Sequence, residues 1–435
     1  MTLSLTRLAQ KAKEEPKLAF DTLAHLVDVE ALRSAHKQLR HEASAGVDGV
    51  RWADYERDLD ARLGDLRERL KSKRYRPQPV KRVYIPKGDG RMRPLGIAAH
   101  EDKVVQRAVE TVMEAIYEQD FLPCSYGFRP GRNAHQALDD SWLALMGGRI
   151  NVVLDADIEG FFDNIDKKWL MRMVEHRIKD GSLLRLLRKW LHAGVLEEGR
   201  WYDPETGSPQ GSVISPLLAN VYLHYVLDLW IERVVKRRCR GEVKLYRYAD
   251  DFLLGFEDRR DAERVGRVLR LRLAKFGLKL NEEKTRLIEF GRRAWARWKG
   301  GGGPKPGTYT FLGFLHICKT SRQGKFVVQR RTDPKRLRRA IRRAWEWCKE
   351  HRHRPIKEQQ ERLNRGLRGH YNYYGRPGNS VGLGTLYYWV KCAWHKWLSR
   401  RSQKGFIRWA RFDEFLRRYP LLLPRIRSPD LQGGA

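Results

Sequence analysis

The sequence predicts an α+β chain, with a mixed domain of antiparallel strands to about residue 320 and an α-helical, basic domain after it. Three observations carry this. Period-2 apolar runs separated by turn residues recur between residues 80 and 257. Stripes at helical spacing lie between those runs. Beyond about Gly324 the patterns are helical and rich in Arg, Trp and Tyr. A length of 435 residues implies two or three domains, and 41% apolar residues suffice to bury a core.

Residues 1–70 read as charged helices, interrupted at residues 44–52 (SAGVDGVRW) by the Gly and Asp of a tight loop. VKRVYIP, KGDGR and MRPLGI read as strand, turn and strand. A helix fits residues 100–118, with Val104, Val105, Ala108, Val112 and Ile116 on one stripe. INVVLDADI is a buried strand that ends in acids, and helices follow near residues 167–176 and 183–193. SPQGSVISPLLANVYLHYVLDLWIERVV opens with turn residues and becomes a long apolar helix. KLYRYADDFLLGFE reads as a strand, a two-residue acidic turn and a strand, and a helix fits residues 260–276.

The run from Gly300 to Gly303, with Pro304 and Pro306, reads as a loop between short strands, a surface hairpin. Asp333 and Pro334 form an N-cap and first-turn pair, followed by a stripe of Leu337, Ile341, Ala344, Trp345 and Cys348. Three or four helices fill the remainder, and no internal repeat is present. The expected division is an N-terminal extension (1–75), a mixed domain (76–320), a helical domain (321–400) and a short basic tail (401–435).

The charge is extreme: 87 Lys plus Arg against 53 Asp plus Glu, a formal net of +34. Such an excess opposes compaction and points to a polyanionic partner, nucleic acid ahead of membrane. The five cysteines are scattered, with none within three residues of another. That spacing argues against a zinc ribbon and a disulfide framework, and it fits a reducing cytoplasm. The N-terminus lacks the apolar stretch of a signal peptide, and no segment is apolar enough to span a bilayer. The expected location is cytoplasmic, nucleoid-associated when on DNA, with no membrane partner. The sequence carries no signal for an oligomeric state.

Nucleotidyl transfer uses two divalent metals about 3.5–4 Å apart, held by hard oxygen ligands. Acids at strand ends that can meet in space meet that need. Asp250 and Asp251 sit between two apolar strands, at a hairpin tip. Asp155 and Asp157, two residues apart, leave one face of the upstream strand. An Asp-Asp pair alone is an ordinary turn; the flanking strands, the second acidic strand and the basic charge change its weight.

These segments resemble, in order, the blocks of the reverse transcriptase/maturase proteins of bacterial group II introns. RVYIPKGDGRMRPLGI and LPCSYGFRPGRNAHQAL are similar to the two fingers blocks, and AGVDGV to a short block before them. DADIEGFFDNID, SPQGSVISPLLANVYLH, YRYADD, GLKLNEEKT and YTFLGF are similar to the palm blocks. LNRGLRGHYNYYG resembles the maturase-specific thumb, often called domain X. The resemblance covers roughly residues 40–400.

It implies a right-hand polymerase, fingers and palm on antiparallel sheet, followed by an α-helical thumb/maturase domain. It implies an RNA-directed DNA polymerase that copies intron RNA and assists its splicing and retrohoming. By position, Asp157, Asp250 and Asp251 are the implied catalytic metal ligands, for two Mg²⁺ with Mn²⁺ as substitute. Phe162 matches the steric gate against a ribose 2′-OH, with Phe161 packing beside it. Gln210 and Gly211 match the pair against the incoming nucleotide, and Lys87 and Arg93 the cations on its triphosphate. Lys284 matches a proton donor to pyrophosphate. Arg338, Arg342, Arg365 and Arg368 are the expected nucleic-acid-binding residues of the thumb. The implied partners are intron RNA, a DNA target and primer, and dNTPs.

Many proteins of this kind carry a C-terminal HNH-type endonuclease with paired cysteines. This sequence reaches Ala435 without such pairs, so second-strand cleavage is not expected of it. Two other readings stand beside the intron enzyme. One is a domesticated relative used in DNA repair or phage defence. The other is an RNA-binding splicing cofactor whose polymerase site is unused.

Overall fold

The structure is a computed structural model that describes residues 3–86, 92–197, 211–402 and 405–426, and the backbone of residues 200–202. Its strands are β1 (Val80–Pro86), β2 (Met92–Ile97), β3 (Val152–Asp157), β4 (Val195–Glu197), β5 (Arg200–Tyr202), β6 (Val243–Tyr248), β7 (Asp251–Phe256), β8 (Arg286–Glu289), β9 (Thr308–Phe311), β10 (Phe314–Thr320) and β11 (Phe326–Thr332). They form three sheets, of order β2-β1-β4-β5, β6-β7-β3-β8 and β11-β10-β9. The chain divides into two compact units: Met1–Ala137 with Ala156–Leu254 and Arg260–Arg286, and Leu138–Asp155 with Gly255–Arg259 and Leu287–Ala435.

In the first unit β1 and β2 pair antiparallel, with Ile85 opposite Arg93 and Arg82 opposite Gly96, which makes the expected hairpin. The helix His100–Asp120 follows, and its stripe Val104, Val105, Ala108, Val112 and Ile116 is buried throughout. Helices Lys167–Glu175 and Gly181–Leu191 start on aspartates: Asp166 accepts from Trp169 N, and Asp180 from Ser182 N and Leu183 N. Each satisfies amide donors that a helix start leaves open. The apolar segment after Ser212 forms helix Ser215–Leu223, then π-helical turns at His224–Asp228 and Ile231–Val235. The sequence pattern gives no sign of the π turns.

In the second unit β10 pairs antiparallel with β9 and β11. β11 alternates strictly between buried and half-exposed positions. Sheet therefore runs to Thr332, beyond the change of character expected near Gly324, and helix Pro334–Glu350 begins one residue after Asp333, which caps it by accepting from Arg336 N. Helices Ile356–Tyr374, Ser380–Leu398 and Trp409–Arg418 follow. Leu363, Leu367, Tyr371, Leu383, Leu386, Val390 and Trp394 are buried among them. Buried Asn379 ties β11 to this bundle, receiving Thr332 N (2.9 Å) and donating to Tyr374 O (2.8 Å). A helix, Arg292–Lys299, precedes the glycine run where the sequence pattern predicts a short strand.

Candidate active site

The sheet β6-β7-β3-β8 brings the acidic segments together. β3 and β7 are neighbours, and Asn151 N, just before β3, donates to Phe256 O at the end of β7 (2.8 Å). The strands therefore run antiparallel, so Asp157 at the end of β3 lies beside the start of β7. The hairpin turn consists of Ala249 and Asp250, and Asp251 is the first residue of β7. This shifts the turn by one residue from the Asp-Asp turn expected. Ala249 takes a left-handed backbone (φ 58°), which suits the tight connection. Gly127, in SYGFRPG, leaves room for it: a Cβ there would collide with the backbone nitrogen of Ala249.

The electrostatics follow from this packing. Burial pushes the carboxyl of Asp250 above its ordinary range, and the negative charge of Asp157 pushes it further; Arg93 and Arg247 pull it back. Asp157 accepts from Lys284 Nζ at 2.7 Å. The segment that carries this lysine is tied to the same strand end, with Asn281 N donating to Asp157 O (2.8 Å) and Glu159 N to Lys279 O (2.8 Å). A buried carboxylate with a second carboxylate beside it forms a donor set that a divalent cation would relieve. Among the described residues no three His, Cys, Asp or Glu side chains form a ready-made metal cage. Magnesium does not need one, since it commonly takes one or two carboxylates and leaves its other positions to water and phosphate. Asp157 and Asp250 fit that mode, with Asp251 adjacent.

The other candidates fall as follows. Phe161 is buried and Phe162 half-buried, on the turn Phe161–Asp163, with their rings edge-on at 5.3 Å. Arg93 is exposed on β2. Gly211 has a positive φ of 107°, and a Cβ on it would come within 2.8 Å of Gly96 O, so this glycine packs its backbone against the β1–β2 hairpin. Ser212 Oγ and Val213 N both bond Gln106 Oε1, at 2.7 and 3.1 Å. Lys87 and Gln210 lie outside the described residues. Arg338 and Arg342 are exposed on one helix and Arg365 and Arg368 on the next, and none of the four has a carboxylate partner among the described residues.

Sequence reasoning missed Arg247, Asp228 and Asn220, which are buried behind the hairpin tip. The available signal was a basic residue in the middle of an otherwise apolar strand, KLYRY.

The reverse transcriptase (RNA-dependent DNA polymerase) profile matches residues 85–316, the span that holds all three aspartates. The chain belongs to the reverse transcriptase family. The activity of this family is RNA-directed DNA synthesis, and the relatives place the chain among its group II intron-type members. It is 36% identical over 280 residues to protein YkfC of Escherichia coli, which covers 57% of this chain and 74% of that protein. It is 36% identical over 231 residues to the group II intron-encoded protein LtrA of Lactococcus lactis, covering 52% of this chain and 38% of LtrA. Nuclear intron maturase 2 of Arabidopsis thaliana is 31% identical over 174 residues, 31% of this reverse transcriptase and 24% of the plant protein. This reverse transcriptase thus spans well under half of LtrA's length. Among its described residues no helix is long and apolar enough to cross a membrane.

Proposed function

We propose that this chain is a group II intron-encoded reverse transcriptase that binds its intron RNA to assist splicing and copies it into DNA during retrohoming. The observation that supports this best is the convergence of Asp157 and Asp250 at adjoining ends of β3 and β7, with Lys284 on Asp157. Asp157, Asp250 and Asp251 would hold two Mg²⁺ ions. Bound there, the ions would neutralise phosphate charge and lower the pKa of the attacking primer 3′-hydroxyl.

The side chains of the chain supply the rest. Arg93, on the exposed hairpin, and Lys87 would hold the triphosphate of the incoming dNTP. Gly211, packed on Gly96 of the β1–β2 hairpin, would set the segment before helix Ser215–Leu223 against the incoming nucleotide. The ring of Phe162 would close the space beneath C2′. Lys284 holds Asp157 through Oδ2, and its ammonium would be available at this strand end to protonate departing pyrophosphate. The exposed arginines 338, 342, 365 and 368 offer forked donors to phosphates, which suits a thumb that holds duplex and intron RNA.

Asp157→Asn and Asp250→Asn should each abolish primer extension on an RNA template while circular dichroism remains that of the parent. Each removes a hard anionic ligand from a site built to stabilise transferring phosphate. Near-parental extension by Asp157→Asn would overturn the assignment and point to Asp155. The intron role has its own test: RNA that co-purifies with the chain should be a folded intron containing the gene. A second reading is a domesticated reverse transcriptase used in DNA repair or phage defence. Unrelated cellular RNA in the co-purified fraction would support it.

A further inference from the structure

Arg247 and Asp228 are both wholly buried, at 0% side-chain exposure, in a protein whose other basic residues mostly face solvent. The guanidinium uses its full set of five donors. Arg247 Nε and Nη2 fork onto the Asp228 carboxylate (2.8 and 2.6 Å), and Nη2 also reaches Ser125 Oγ (2.7 Å). Nη1 donates to Asn220 Oδ1 (2.9 Å) and to Ala249 O (3.1 Å). The backbone is pinned as well: Arg247 N donates to Cys124 O (2.8 Å), and Tyr126 N donates to Arg247 O (2.9 Å). Asn220 in turn donates to Gly127 O (2.8 Å), the glycine packed under Ala249.

The Ala249 carbonyl belongs to the peptide that leads into Asp250. Holding its oxygen fixes the plane of that peptide and hence the position of the Asp250 Cα. Ala249 needs such a hold, because its left-handed backbone is disfavoured for a residue with a Cβ. Asp228 lies in the π turn His224–Asp228, and turns of this kind occur frequently at functional sites. Stability alone does not account for the pair. Apolar residues of similar volume in place of a buried ion pair are often as stable or more so.

We infer that Arg247 is a positioning residue for polymerisation: clamped by Asp228, it holds the Ala249–Asp250 peptide and so sets the place of the Asp250 carboxylate relative to Asp157. The network also links the hairpin tip to Ser125 and to Asn220, on the helix that follows the Gln210–Gly211 pair. This role deepens the proposed function and rests on its assignment of Asp250 as a metal ligand.

The test is the double substitution Arg247→Met with Asp228→Leu in the full chain. It removes the clamp without leaving an uncompensated buried charge. The measurements are thermal melting, kcat, dNTP KM and the Mg²⁺ concentration that gives half the maximal rate. A misplacement of about 1 Å in a catalytic group can cost around 100-fold, and removal of a residue behind a metal ligand around 10- to 100-fold in metal affinity or activity. The expected result is near-parental melting and dNTP KM, a kcat lower by ~10- to 100-fold, and a half-saturating Mg²⁺ concentration raised by roughly tenfold. A stable double variant with parental kcat and Mg²⁺ dependence would overturn the inference and make the pair purely structural. Should that variant fail to fold, Ser125→Ala and Asn220→Ala carry the test. Each removes one arm of the network, and each should raise the Mg²⁺ requirement; unchanged values in both would overturn the inference. Asp250→Asn in the same assay separates the two claims. If it extends primers normally, the site assignment falls, and the positioning role with it. If it is inactive while the double variant is parental, the positioning role alone falls.

Discussion

Lys284 donates its ammonium to Asp157 at 2.7 Å, although the two residues are 127 positions apart and both side chains are substantially exposed, at 53% and 38%. An exposed pair of this kind contributes about 0–1 kcal/mol to stability, so folding alone gives little reason for it. Lys284→Ala should therefore shift melting only slightly. If the ammonium protonates pyrophosphate, the single-turnover extension rate should fall by about 100-fold or more, in the range of general acid catalysis. Lys284→Arg, which keeps charge but surrenders a proton far less readily, should be nearly as slow. An extension rate unchanged in both variants would reduce Lys284 to a counter-ion for Asp157.

The neighbouring rings make a prediction about sugar choice. Phe161 is 2% exposed and packs against Tyr222 with ring centres 6.4 Å apart, whereas Phe162 is half-buried. If the Phe162 ring lies under C2′, a ribose hydroxyl overpacks the site at a cost of about 1–3 kcal/mol, roughly tenfold to a hundredfold in rate. Phe162→Ala should raise rNTP incorporation by a factor in that range and change dNTP incorporation much less. Its melting temperature should fall less than that of Phe161→Ala, which empties a core site at about 3–5 kcal/mol. The ratio of kcat/KM for dNTP and rNTP decides the matter. An unchanged ratio in Phe162→Ala would reject the gate.

The thumb arginines are tested by salt. Charge reversal at Arg338 and Arg342, one helical turn apart and both exposed, should weaken RNA binding and leave primer extension at saturating template intact. For every phosphate that the variant no longer neutralises, the slope of log affinity against log salt should become shallower by about 0.7–0.9. Titrations across a salt series measure this directly. Parental affinity and slope would mean that this face of the helix points away from nucleic acid.

What the sequence revealed and what it hid have a common physical basis. Asp157 and the 248–251 hairpin were legible because alternation and turn chemistry are local, and acids that end apolar strands stand out. The Asp250 clamp was not legible. Its parts, Ser125, Asn220, Asp228 and Arg247, are spread over 122 positions, and the π turn that carries Asp228 reads in sequence as ordinary apolar helix. The left-handed Ala249 was hidden for a similar reason: an alanine does not announce that backbone, and the glycine that makes room for it, Gly127, lies in another segment. Sheet persisted past Gly324 because β11 keeps its period-2 pattern through two arginines, one of which, Arg330, is buried on Asp139 (2.6 Å). A charge in a strand usually marks the solvent face; here it pairs inside.

His316 provides the last prediction. It is fully buried on β10, stacked on Tyr309 at 4.6 Å and opposite Arg330 of β11. Burial, reinforced by the charge of Arg330, lowers its pKa to about 3, while the bond to Phe314 O opposes the shift. In the unfolded chain the imidazole returns to its ordinary value near 6.5. Between those values the unfolded state binds a proton that the folded state refuses, so acid favours unfolding. The contribution of neutral His316 is complete above about pH 6.5 and is lost as pH falls, at up to ~1.4 kcal/mol per pH unit. Other groups contribute to the parent's curve in both directions: burial lowers His100, His224 and His370 to about 4, and it raises Asp102 and Asp120 to about 6. The difference between parent and His316→Phe cancels them. Phenylalanine keeps the stack and removes Nε2, a buried nitrogen with no hydrogen-bond partner, so the variant should fold. Its stability, measured by denaturant titration from pH 4 to 6, should fall less steeply than the parent's by about 1 kcal/mol per unit. Parallel curves would mean that His316 binds its proton as readily in the folded chain as in the unfolded one.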